Sequence, residues 1–186
     1  MSSTPFLLPN SFRGASFRWP ATLQAWLPVL LLISLLALES TAAFGSDHTS
    51  APLHTLFHFL FGSSIDRHWA YTHHLLRKTG HFAGYGMLSL VFFRGFRLTL
   101  RNTALRLHSA LASHSLAIAA TFLIACADEI HQSFLPNRTG CFSDVLLDTA
   151  GALTLQALLR IVLCATEGRR SLCSSYNRLG SLDLAA

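Results

Sequence analysis

The 186-residue chain is about one domain long, yet 51% of it is hydrophobic, only 12% is charged and its mean hydropathy is +0.42. Soluble domains carry roughly twice that charged fraction, so polar groups are too few to cover a water-exposed surface, and lipid is the expected cover. The net charge of +5 and isoelectric point near 9.5 would suit a nucleic-acid binder, but no basic face with interleaved aromatics lies outside the connections, and nucleic acid is not an expected partner.

Residues 1–20 form an N-terminal tail carrying Arg13 and Arg18. The first apolar stretch, Leu23 to Phe44, would reach about 33 Å as a helix, enough for a hydrocarbon core. The small residues Thr41, Ala42 and Ala43 after it leave a cleaved signal peptide as the competing assignment, against which the long run and late start weigh. A connection of roughly thirty residues follows. In it Leu53, Leu56, Phe57, Leu60 and Phe61 recur at helical spacing and Gly62 ends the run, so a short helix lying in the membrane interface is expected. Trp69 and Tyr71 suit the headgroup level.

The second span, Thr79 to Leu98, begins with Gly80, Gly84 and Gly86, which would let a neighbouring helix approach closely. The third runs from Leu111 to Ile130 and the fourth from Val145 to Leu163. Residues 167–186 read as a mobile C-terminal tail. Ten of the fourteen Lys and Arg residues flank one side of these spans, and only Arg67, Arg77, Lys78 and Arg138 flank the other. By the positive-inside rule both termini are cytoplasmic. The fold class expected is an all-α integral membrane protein: a four-transmembrane-helix bundle over 21–166, multi-pass in the cell (inner or plasma) membrane. Cys126, Cys141, Cys164 and Cys173 show no metal-type or CxxC spacing, so no disulfide framework, cofactor or metal is expected from them.

Ionisable residues at the mouths of apolar spans are costly and usually pair or line a cavity. Lys78, His81 and Tyr85 share one face of the second span. Asp128, Glu129 and Gln132 close the third, and Asp144 and Asp148 open the fourth just after Arg138. Alternating topology carries all three groups to the outer side, where Glu39 joins them from the end of the first span.

The runs KTGHFAGYG, DEIHQSFLPNRTG and DVLLDTAG resemble the VanZ-like membrane proteins. The family pattern, a Lys-x-x-His-Phe-x-x-Tyr element with an Asp-Glu-x-x-Gln…Arg…Asp element, is matched by Lys78, His81, Phe82, Tyr85, Asp128, Glu129, Gln132, Arg138 and Asp144. The likeness covers about residues 25 to 163; Asp148 stands where family members often have Asn. It implies a small multi-span protein of a family named for a member associated with teicoplanin resistance in bacteria, and it implies no molecular activity.

Four roles stay open for the cluster. One is structural: Lys78 and Arg138 would neutralise Asp128, Glu129 and Asp144, while His81, Tyr85 and Gln132 complete the hydrogen bonding. The second is a site at the outer leaflet, with Glu129 or Asp128 as base, His81 as proton carrier, and Lys78 and Arg138 binding an anionic group. Its partners would be membrane lipid and a lipid-linked or cell-wall precursor. No GxSxG motif supports acyl-enzyme chemistry, so whether the chain is an enzyme stays open. A metal held by His81, Asp128, Glu129 and His131 lacks HExxH-type spacing, and His54 with His58 falls on the expected interfacial helix. A transport role lacks repeat halves. The remaining histidines, His114 among them, read as loop or interface residues.

Overall fold

In the computed structural model the described backbone covers residues 21–100, 109–135 and 138–183, with side chains described over 23–100, 110–135 and 138–168. The architecture is all-helical, and no strand occurs among the described residues. Helix α1 spans Ala21–Glu39, α2 Ser46–Phe61, α3 Trp69–Leu100, α4 Ser109–Ser133 and α5 Phe142–Asp183. Short 3-10 turns at Ala42–Phe44 and Gly62–His68 flank α2.

The core of each expected span is a helix, but the boundaries differ. Helix α3 begins at Trp69, ten residues before the expected start, and runs for 32 residues. No Pro or Gly interrupts residues 69–79, so nothing stops the helix from extending outward from its apolar part. Helix α5 likewise continues through the expected C-terminal tail to Asp183, a stretch with no proline. The N-terminal tail lies outside the described residues.

Two helical segments, Ala110–Ser133 and Phe142–Gly168, are each long and apolar enough to cross a membrane. A third is added if α1 is joined to the helical segment after it, across a break bent by 69°. The reasons the other two expected spans fall short are physical. Helix α1 stops at Glu39, short of the expected end at Phe44, and in α3 the stretch free of Asp, Glu, Lys and Arg is bounded by Lys78 and Arg94.

Helix α2 starts at Ser46 and ends at Gly62, whose φ of +66° suits glycine, so the run stops where the sequence indicates. None of its residues is buried. Its expected single apolar face divides. Leu53 and Phe57 turn toward a cavity against α3, while Leu56, Leu60 and Phe61 stay exposed.

Helix α3 is the centre of the bundle, packing on α1, α4 and α5, and α4 also packs on α5. Val29, Leu36, Tyr85, Leu88, Phe92, Phe93, Ala117, Ala125 and Val145 form the core, with Trp26 edge-on to Phe92 and Phe96. Ser89, Ser113, Ala117, Thr121, Ala125 and Ala152 are fully buried. Small residues at a helix interface let backbones approach, the packing expected where no hydrophobic force separates helix from solvent.

The closest approach is at Gly151 of α5, where a Cβ would lie 2.1 Å from the Phe82 carbonyl oxygen. Of the three α3 glycines singled out by sequence, Gly86 faces this same seam and Gly84 meets Leu36 of α1, whereas nothing opposes Gly80. Farther along the seam, Gln156 donates to the Ser89 carbonyl at 2.7 Å and its Oε1 lies 2.6 Å from His114 Nδ1. His114 is thus a buried helix–helix contact, not a loop residue. Leucine and isoleucine on the outward faces, such as Leu30, Leu31, Leu123, Ile130, Ile161 and Leu146, remain exposed.

Overpacking a helix seam costs about 1–3 kcal/mol. Gly151→Ala is therefore expected to lower the thermal midpoint of the detergent-solubilised protein by several degrees, while Gly80→Ala leaves it unchanged or raises it. Fluorescence-monitored melting of the two variants checks the contrast.

Candidate functional site

At the end of the bundle where α1 stops, α4 ends and α5 begins, polar side chains from four helices meet. The alternating direction of the helices brings them there: the C-terminal ends of α1 and α4 lie beside the N-terminal part of α3 and the N-terminus of α5. At the opposite end Arg94 of α3 donates to the Gln24 carbonyl of α1 at 2.9 Å, fixing the antiparallel sense of that pair.

Lys78 Nζ contacts Asp144 Oδ1 at 2.5 Å, joining α3 to α5. Both side chains are about one-third exposed, 35% and 34%, so solvent screens the pair and its net contribution is modest, about 1 kcal/mol or less. On the same face of α3, His81 Nδ1 stands 3.7 Å from Asp148 Oδ2, within ion-pair reach but too far for a hydrogen bond. Asp148 is 0% exposed and neither of its oxygens has a hydrogen-bond partner. The Tyr85 hydroxyl and His81 Nδ1 are also buried without one, and the two rings stack at 6.1 Å.

Asp128 and Glu129 diverge although adjacent. Asp128 Oδ2 accepts from Ser40 Oγ at 2.8 Å and from Gln132 Nε2 at 3.0 Å, tying α4 to the end of α1. Glu129 is buried and accepts the Cys141 backbone N–H at 2.8 Å, which fixes the chain entering α5.

Arg138 does not neutralise either carboxylate. Its Nη2 donates to the Glu39 and Thr41 carbonyls, each at 2.9 Å, and its Nη1 to Gln132 Oε1 at 3.4 Å. A cation there satisfies orphan carbonyls and complements the negative end of the α1 dipole. Burial draws the guanidinium below its ordinary pKa, with Arg77 acting in the same direction and Asp128 and Glu129 opposing it. Arg remains a cation throughout.

The expected full neutralisation by Lys78 and Arg138 thus holds for Asp144 alone. Among the described residues no Lys or Arg pairs with Asp128, Glu129 or Asp148.

Two adjoining cavities open beside the cluster. One, of about 260 Å³, is walled by polar groups including Lys78, Glu129, Gln132 and Asp144. The other, of about 320 Å³, lies beneath α2 and is walled by Phe44, Leu53, Phe57 and Leu76. Arg77, His81 and Arg138 belong to both walls.

All eight candidate residues named from sequence, Lys78, His81, Tyr85, Asp128, Glu129, Gln132, Arg138 and Asp144, therefore fall at this one end. Glu39 contributes its carbonyl, and its side chain is exposed. His131 is exposed on α4. Sequence reading missed Ser40, 1% exposed and bonded to Asp128, because a serine past a helix end carries no distinctive signal. It also missed Arg77, taken only as a topological charge; its place one residue before Lys78 was the available clue.

A family model described as VanZ/LLP1 matches residues 23–163, most of the chain and the whole of the cluster. The chain belongs to the VanZ/LLP1 family. No curated protein and no solved structure matches it. The VanZ/LLP1 match ends within α5, well short of Asp183, so the distal part of that helix lies beyond the shared unit.

Reversing the charges at the α3–α5 contact gives a direct check. Lys78→Asp and Asp144→Lys should each lower the melting temperature, because each leaves like charges facing at the cavity mouth. The combined swap should recover at least half of the loss, as measured in the same detergent.

Proposed function

We propose that this VanZ-family chain is a four-span membrane protein, N-in and C-in in the plasma membrane, that binds an anionic amphiphile at its outer face. The observation carrying the proposal is the pair of adjoining cavities. A charged compartment with cations at its mouth adjoins an apolar compartment under α2, and Arg77, His81 and Arg138 stand where they join. A headgroup with negative charge suits the first and an alkyl chain the second. Lipid-linked envelope precursors have this chemistry, which would connect the site to the teicoplanin resistance associated with the member that gives the family its name.

The four-span assignment is supported by the mutual packing of α1, α3, α4 and α5 and by the leucine and isoleucine side chains left on their outward faces. The biased placement of Lys and Arg supports the orientation. Helix α2, with its exposed Leu56, Phe59, Leu60 and Phe61, is suited to lie in the interface over the apolar cavity.

Within the cavity Glu129 is better placed than Asp128 to act as a base. Glu129 lines the polar compartment, whereas Asp128 is occupied by Ser40 and Gln132. His81, on the wall shared by both compartments, would carry the proton. A purely structural cluster is favoured by one part of the geometry, the Ser40–Asp128–Gln132–Arg138 chain that ties α1 to α4. It does not account for the unpartnered Asp148 and Tyr85 groups.

Dodecyl phosphate should bind the protein purified in a neutral detergent, and dodecyl glucoside should compete poorly. Arg77→Gln should weaken the phosphate amphiphile about tenfold while leaving the melting temperature unchanged, as read by native mass spectrometry. Equal binding of the two amphiphiles, or an Arg77→Gln protein indistinguishable from the parent, would contradict the proposal. For the wider role, Glu129→Gln and Lys78→Ala should abolish any glycopeptide tolerance the chain confers at unchanged membrane abundance.

A further inference from the structure

Apart from the cluster at the helix ends, a second group of chemistry-bearing side chains sits on the segment that covers the apolar cavity. His54 and His58 are four residues apart on α2, hence on one face one turn apart. The chain turns back at Gly62, and the 3-10 segment Gly62–His68 returns Asp66 to that same face. Asp66 Oδ1 lies 3.0 Å from His54 Nε2 and 2.9 Å from His58 Nδ1. The three ligand atoms all lie within 4.8 Å of one another.

We propose that His54, His58 and Asp66 bind a divalent cation of the zinc class, and that the ion pins α2 to the segment leading into α3. The inference does not depend on what occupies the cavities.

The ligand atoms stand near the spacing that a zinc ion needs. Zinc takes imidazole nitrogen and carboxylate oxygen at about 2.0–2.2 Å in a tetrahedron, so its ligand atoms stand roughly 3.4 Å apart. The observed Asp66 separations of 3.0 and 2.9 Å are shorter by a few tenths of an ångström, and the two histidine nitrogens lie within 4.8 Å of each other, so side-chain rotation would open the first two and draw in the third.

Two imidazoles and a carboxylate exclude the hard cations magnesium and calcium, which take oxygen ligands, and suit the borderline metals. Three protein ligands leave a fourth position. The exposure of His58 and Asp66, 50% and 44% of their side chains, leaves that position to water. His54 is held by the edge of Trp69 at 4.9 Å, and Trp69 in turn donates to Ser50 at 2.8 Å, so one ligand is oriented before any ion arrives.

The consequence reaches the cavity. Leu53 and Phe57, which wall it, each precede a ligand by one residue. An ion linking His54 and His58 to Asp66 fixes the helix turn that presents those two apolar side chains. Without the ion, an exposed histidine–aspartate contact, in which hydrogen bonding from His58 draws Asp66 below its ordinary pKa, adds to the Trp69 contacts that hold it.

The test is calorimetric titration of the full chain with zinc chloride, in neutral detergent and with a purification tag that contains no histidine. One ion per chain is expected, with magnesium in excess failing to displace it. Losing a direct ligand should cost more than the roughly 10–100-fold associated with outer partners, so His54→Ala, His58→Ala and Asp66→Asn should each weaken binding at least that much. All three positions lie on a helix with no buried residue or on the exposed turn after it, so the variants are expected to melt with the parent. X-ray absorption at the zinc edge should show nitrogen and oxygen neighbours only. Absence of stoichiometric binding, zinc affinity unchanged in the three variants, or sulfur in the coordination shell would each overturn the proposal.

Discussion

Lys78 on α3 meets Asp144 on α5 beside a cavity, and around that contact the ends of α1, α4 and α5 are drawn to a common level. The constraint behind it is the cost of ionisable groups in an apolar fold. The ends of α1 and α4 and the start of α5 carry polar atoms whose partners lie on other segments of the chain. Arg138 caps α1 from the connection after α4, Asp128 holds Ser40, and Glu129 holds the start of α5. Removing the convergence would strand several buried charges at once, which is more costly than losing any single pair.

Below that level the packing is built from small side chains. Gly151 against the Phe82 carbonyl, with Ser89, Ala117, Thr121, Ala125 and Ala152 buried around it, brings α3, α4 and α5 close enough for Gln156 to reach Ser89 and His114. The close seam also sets where the polar cluster sits. His81 is the residue before Phe82 and Asp148 lies about one turn before Gly151, so the buried carboxylate and the imidazole sit beside the tight contact. The site and the seam therefore adjoin on the same pair of helices, α3 and α5.

Much of this was legible in the residues. The spacing of Lys78, His81 and Tyr85, the Asp128-Glu129 pair and the Arg138–Asp144 segment, combined with alternating helix direction, brings the right groups to the same end. The stop at Gly62 was legible because a single glycine follows the apolar run of α2. What escaped was set by tertiary geometry. Adjacent Asp128 and Glu129 look equivalent in sequence, yet helix rotation sends one to Ser40 and the other to the Cys141 amide. Arg138 looks like a counter-ion for carboxylates and instead takes backbone carbonyls, because the end of α1 lies nearer than either acid. His54 and His58 read as interfacial residues because Asp66, which meets them, arrives only after the turn at Gly62. Helix lengths were misjudged where hydropathy falls but proline is absent, as at the start of α3 and along the distal part of α5.

Disulfide trapping between positions 78 and 144 tests the convergence most directly. In a background with Cys126, Cys141, Cys164 and Cys173 replaced by serine, the pair Lys78→Cys and Asp144→Cys should oxidise to an intramolecular cross-link in native membranes, whereas Arg97→Cys paired with Asp144→Cys should not. Failure of the first pair to cross-link, or equal cross-linking of the second, would contradict the assembly of the polar cluster at one end of the bundle.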